Sequence, residues 1–159
     1  MSSSVVAKCL FHGLAVAILL FGAALPMRAA PQYERGGGVV HVVGDDPGGR
    51  LRTRIDEISQ IRARGDRVEI RGRYCHSACT LYLGAGDVCV SPATRFGFHG
   101  PSYRAAPIRA DRFDYWSRRM ASYYPPRLSR WFLARARHVT QGYLTLTGAE
   151  LIGMGVPRC

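Results

Sequence analysis

The sequence predicts a mixed α/β domain, and three observations carry that prediction. A β-branched run, Val39-Val40-His41-Val42-Val43, is followed by a helical pattern and then by a second short apolar run, Val68-Glu69-Ile70. The chain next turns through small residues around Ser77 and re-enters an extended run at Val88-Cys89-Val90. Beyond Ala110 the apolar period lengthens to that of helices. Strand, helix and strand over about thirty residues form a βαβ unit, which crosses over right-handed and makes a parallel sheet.

The first 30 residues read as a secretory signal. Lys8 gives a sparse positive region, Leu10 to Leu25 is mostly apolar, and Ala23-Ala24 and Ala29-Ala30 offer small-residue cleavage sites. An uncleaved N-terminal anchor is the alternative, and it is the one expected route to a membrane. Residues 31–38 are a polar, Gly-rich leader. Residues 39–159 are the folded domain, a size that supports one core.

Within that domain the run from Val39 to Val43 has the composition of a strand buried on both faces. Gly44-Asp45-Asp46-Pro47-Gly48-Gly49 ends it with turn residues. Leu51, Ile55, Ile58 and Ile61 then fall on one helical face, with arginines around the rest. Gly65-Asp66 stops this helix. His41, on the first strand, reads as structural.

The centre of the domain is Cys75-His76-Ser77-Ala78-Cys79-Thr80-Leu81-Tyr82-Leu83-Gly84-Ala85-Gly86. An apolar strand leads into it and a helix-compatible run follows. A serine at such a turn sits at the positive end of a helix, beside backbone N–H groups without intrahelical partners. Those groups suit an oxyanion, which acyl transfer generates. Gly84-Ala85-Gly86 ends the helix. Twenty-two residues after Ser77, the strand Arg95 to His99 delivers a histidine. Ser77 and His99 are therefore the candidate nucleophile and base, and His76 is expected to face away.

Pro101 to Ala110 reads as a loop. Phe113, Trp116, Met120 and Tyr123 mark a helix over 111–123, and a basic helix is predicted over 128–138 after Pro125-Pro126. Thr147-Gly148-Ala149-Glu150 is a capping box that opens a last short helix.

Four cysteines lie outside the signal: Cys75, Cys79, Cys89 and Cys159. An even number in an exported chain predicts two disulfides, for which three connectivities exist. The favoured pairing joins Cys75 to Cys79, bracing the Ser77 turn, and Cys89 to Cys159. Cys75-x-x-x-Cys79 lacks a matching second pair for zinc, so no metal and no cofactor is expected. The net charge is +11, from 21 arginines and one lysine. The arginines are scattered along the chain, so nucleic acid is not the expected partner. Polyanion binding by the basic helix is a lesser alternative.

Taken in order, these features resemble the Clp protease proteolytic subunit of the ClpP/crotonase superfamily. The resemblance runs from Asp46-Pro47-Gly48-Gly49, similar to that family's Pro-Gly-Gly turn, through Ser77 and His99-Gly100-Pro101. It ends at Glu150-Leu151-Ile152-Gly153-Met154-Gly155-Val156 and so covers nearly all of the domain. It implies a repeated ββα (spiral) core with C-terminal helices. Its implied site has Ser77 as nucleophile, His99 as general base, and an oxyanion hole from the N–H groups of Gly49 and Ala78. The family's third member is an acid before the C-terminal helix, and here that region, Arg137 to Thr145, holds no carboxylate. The group orienting His99 is then a backbone carbonyl, Tyr143, a displaced Asp111 or Asp114, or nothing.

The expected function is that of a periplasmic or secreted serine hydrolase, a peptidase acting on a peptide or protein through an acyl-enzyme. It would use a dyad or incomplete triad, with self-association open. The alternative is an inactive relative that serves the cell envelope as a scaffold or binding protein.

Overall fold

Turn residues cut the extended runs to three or four residues, so the strands are short and their pairing is set by the chain's crossovers. The computed structural model describes residues 38–103 and 106–159. The expected signal (1–30) and nearly all of the leader (31–38) lie outside them.

One sheet is parallel throughout, in the order β1 (Val40–Val43), β2 (Arg67–Ile70), β4 (Asp87–Val90). The other has the order β3 (Tyr74–His76), β5 (Arg95–Phe98), β6 (Leu144–Thr147), with β3 parallel and β6 antiparallel to β5. Isolated pairings extend both sheets. Asp46 lies alongside Cys75, its N–H donating to the Tyr74 carbonyl at 3.1 Å and its carbonyl accepting from the His76 N–H at 2.9 Å. Arg158 lies alongside Val90. The chain therefore advances in steps. β1 with Asp46, β2 with β3, and β4 with β5 each add one segment to either sheet.

Helix α1 (Leu51–Arg64) buries Ile58 and Ile61 completely, half-buries Leu51 and Ile55, and ends on Gly65 in the left-handed conformation. That is the predicted face and the predicted stop. Helix α2 is Ala110–Ala121, and α3 is Pro126–Ala134, continued by a 3-10 turn, Ala136–His138. The prolines open α3 rather than precede it, because Pro126 stands at a first-turn position whose N–H has no helical partner. Helix α4 (Gly148–Gly153) starts from the expected capping box: the Thr147 hydroxyl accepts from the Glu150 N–H, and Glu150 accepts from the Thr147 N–H. Strand side chains Val68, Ile70, Val90, Phe96 and Phe98 meet Leu81, Leu128, Phe132 and Leu151 in the core.

Three expectations are corrected. β1 is not buried on both faces. It pairs with β2 alone, and Val40 and Val42 are 49% and 62% exposed. Its inward residues are tied down differently: the nearly buried Asp66 accepts from His41 Nε2 at 2.8 Å, from the Val39 N–H and from Arg64. The His41 bond, followed by that of Arg64, holds the Asp66 carboxyl below the usual carboxylate range. His41 is structural, as expected.

The Ser77 segment is the second correction. It is not an α-helix but a 3-10 helix, Ser77–Gly84. The Thr80 hydroxyl donates to the Ser77 carbonyl at 2.8 Å, which suits the tighter i to i+3 winding. The third concerns what leads into it. The strand before Ser77 is β3, separated from β2 by a bend at Arg71–Arg73 that moves the chain from one sheet to the other.

Both favoured disulfides form: Cys75–Cys79, with Cα atoms 5.3 Å apart, and Cys89–Cys159 at 4.9 Å. They place the chain in a non-reducing environment. Among the described residues no helix is long and apolar enough to cross a membrane.

Candidate active site

β3 and β5 are adjacent and parallel, and the His76–Gly97 pair is their last. The next residue on one strand is Ser77, and two residues on along the other is His99. Neighbouring parallel strands lie about 4.8 Å apart, so both side chains leave the same edge of one sheet. The result is a hydrogen bond of 2.7 Å between Ser77 Oγ and His99 Nε2.

The direction of that bond follows from the other ring nitrogen. His99 Nδ1 lies 2.6 Å from the Gly100 carbonyl oxygen, which can only accept. Nδ1 therefore carries the proton, Nε2 is the free lone pair, and the serine hydroxyl donates to it. Burial pushes the His99 pKa down, and the Gly100 carbonyl opposes the shift only in part. The ring is held neutral, the protonation state a general base requires.

Ser77 has φ of 56°, and among the described residues no other non-glycine has positive φ. A side chain in the left-handed region costs about 1–2 kcal/mol. The neighbouring contacts hold it there. Cys75 and Cys79 flank it symmetrically in sequence, and their bond ties the end of β3 to the 3-10 segment. Gly48 packs directly beneath it, so that a β-carbon on Gly48 would stand 2.6 Å from Ser77 Cβ.

Three backbone donors lie near this turn. The Gly48 N–H is spent on Asp46 Oδ1 at 2.7 Å. The N–H groups of Gly49 and Ala78 have no hydrogen-bond partner among the described residues, Gly49 just beyond Gly48 and Ala78 in the first turn after Ser77. A cavity of about 260 Å³ opens beside Gly48 and Gly49, lined also by Arg50, Thr53, Arg54 and Glu57. Arg54 bridges Asp46 and Glu57 across its wall.

The candidates for the third member divide cleanly. The group on Nδ1 is the backbone carbonyl of Gly100. Asp114 is bound by Arg137 at 2.8 Å and Arg118 at 2.6 Å, and Arg137 first, then Arg118, holds its carboxyl below the usual range. Asp111 pairs with Arg109. Neither carboxylate reaches His99. The Tyr143 ring packs against His99 with centroids 5.5 Å apart, but it makes no hydrogen bond to it. His76 turns away from Ser77, as expected, and lies between Tyr74 and Tyr143 at 4.8 and 4.5 Å.

Sequence reasoning missed three glycines. Gly48 supports Ser77, and the Gly-Gly doublet was its signal. Gly97 leaves room for the His76 and Tyr143 rings to meet over β5, since a β-carbon there would lie 2.7 Å from one and 2.8 Å from the other. Gly100 sits 1.9 Å, at its absent β-carbon, from the Arg137 carbonyl, and its N–H donates to Val139. A backbone carbonyl that orients a ring leaves no mark in a sequence.

Glu69 lies beside Cys89 and Cys159, but the two sulfurs are joined and offer no thiolate to a metal. No protein-family model matches the chain, and no curated protein matches it either.

Proposed function

We propose that the chain is an exported serine hydrolase of the ClpP-like kind, cleaving a peptide or protein acyl bond through Ser77 and His99. One observation carries this reading: a serine in a strained left-handed turn donates its hydroxyl proton to a half-buried histidine whose second nitrogen is already occupied. Strain of this sort persists where the surrounding structure enforces it, and it clusters at functional sites. The stepwise addition of one segment to each of two sheets supports the ClpP-like comparison. The disulfides support export.

In the reaction so derived, His99 Nε2 takes the Ser77 proton as Oγ attacks the substrate carbonyl. The N–H groups of Gly49 and Ala78 receive the oxyanion. The imidazolium then protonates the leaving amine. Water, deprotonated by the same nitrogen, releases the acyl group from Ser77. The weak point is the imidazolium, which has a neutral carbonyl behind it where a triad has a carboxylate. Losing that carboxylate typically lowers turnover by about four orders of magnitude.

The neutral carbonyl in place of a carboxylate behind His99 favours a second reading, an inactive scaffold or binding protein of this fold. A fluorophosphonate probe separates the two. On the first reading the purified chain is labelled at Ser77, while Ser77→Ala and His99→Ala are not. Absence of labelling in the parent chain, or equal labelling of Ser77→Ala, overturns it.

A further inference from the structure

Between α1 and α2 the chain carries guanidiniums that no carboxylate binds. Some arginines elsewhere are paired with carboxylates, as Arg67 is with Asp87 and Arg118 with Asp114. The guanidiniums of Arg52, Arg112 and Arg119 make no ion pair or hydrogen bond among the described residues. Each lies instead over an aromatic ring: Arg52 over Trp116 at 5.5 Å, Arg112 over Tyr115 at 5.6 Å, Arg119 over Tyr123 at 5.4 Å. Arg62 approaches the same Tyr123 ring at 5.1 Å and continues the band.

Arg52, Arg112 and Arg119 border one groove of about 390 Å³, with Ile55, Tyr115 and Trp116 as its apolar lining and Asp56 as its one carboxylate. Contact with a ring limits the rotamers of a guanidinium. The in-plane N–H donors stay free, and they match a carboxylate bidentately. Three such forks around an apolar lining ask for an extended ligand with carboxylates spaced around an apolar side chain.

We propose that the α1–α2 groove is a docking site for an acidic segment of another polypeptide, one in which glutamate or aspartate residues flank an aromatic or aliphatic residue. The concave, partly apolar lining favours such a segment over a flat anionic membrane surface. The groove shares no lining residue with the cavity beside Gly48 and Gly49, and the proposal stands whether or not the chain is a hydrolase.

The test is fluorescence anisotropy on the full chain with a labelled peptide, Glu-Phe-Glu-Glu-Leu-Glu, and its counterpart with every Glu replaced by Gln. The acidic peptide binds, the neutral one does not, and added salt weakens binding. Replacing the groove cations together (Arg52→Gln, Arg112→Gln, Arg119→Gln) lowers affinity by about tenfold, the loss expected from three exposed charge pairs. A control with the same loss of charge elsewhere (Arg130→Gln, Arg135→Gln, Arg158→Gln) keeps the parent affinity. Circular dichroism establishes that both variants fold. Equal loss in the two variants, or no binding by the parent, overturns the proposal. So does binding to phosphatidylglycerol vesicles that needs the three groove arginines while the peptide does not bind.

Discussion

Gly48 and Ser77 touch through their Cβ positions: a methyl group on Gly48 would stand 2.6 Å from the serine Cβ and 2.7 Å from the His76 carbonyl oxygen. Gly48 also has φ of 103°, a conformation closed to most side chains. Two separate demands therefore fall on one residue, and both serve the placement of the hydroxyl. Gly48→Ala should destabilise the fold by about 1–3 kcal/mol and abolish fluorophosphonate labelling even where the protein stays folded. Thermal unfolding and labelling rate, read together, check both parts.

The pH dependence follows from His99. Only its neutral form can take the serine proton, and burial lowers its pKa from the ordinary 6.5. Labelling should thus be flat through neutral pH and fall on acidification, with a midpoint below 6.5. The stability linkage has the same sign. Between the folded and unfolded pKa values the unfolded chain binds the extra proton, so stability rises with pH there and is lost as pH falls. A labelling profile with its midpoint above the ordinary imidazole value would contradict the burial of the ring.

The two disulfides should separate in their effects. Cys89–Cys159 closes a span of 70 residues, and loop-closure entropy makes it worth about 4 kcal/mol. Cys75–Cys79 spans four and is worth about 2 kcal/mol on the same basis. Cys89→Ser with Cys159→Ser should lower the unfolding temperature more but leave the labelling rate of the folded protein intact. Cys75→Ala with Cys79→Ala should do the reverse, because those cysteines flank Ser77. Denaturant melts and labelling of each pair give the comparison.

Asp114 is the carboxylate that a search for a triad acid would choose. Both of its oxygens are held by arginines, so Asp114→Asn should change the labelling rate by less than about twofold, against the four orders of magnitude lost with a true triad acid. Its cost should appear as stability, about 1 kcal/mol for the weakened bond to Arg137. A large fall in rate without unfolding would place Asp114 nearer the chemistry than its contacts indicate.

Much of this was legible in the residues themselves. The four-three-three spacing of Leu51, Ile55, Ile58 and Ile61 identified α1, and Gly65 its end, because local geometry alone determines both. Ser77 and His99 were legible as a pair because one stood at a small-residue turn and the other closed a short apolar strand. What the residues could not carry was tertiary. β3 and β5 are too short to announce which sheet they join, and the exposure of β1 depends on its place at an edge. β6 was missed although Leu144-Thr145-Leu146-Thr147 alternates as a half-buried strand does. The partner of His99 Nδ1 was open among five alternatives, since a main-chain oxygen is present at every position.

Ser77 occupies a backbone region that glycine enters without penalty. Ser77→Gly should then raise the melting temperature of the folded chain while removing its only oxygen within reach of His99 Nε2. Robustness and reactivity pull in opposite directions at this one α-carbon, and a screen for thermal resilience would be drawn toward the dead protein.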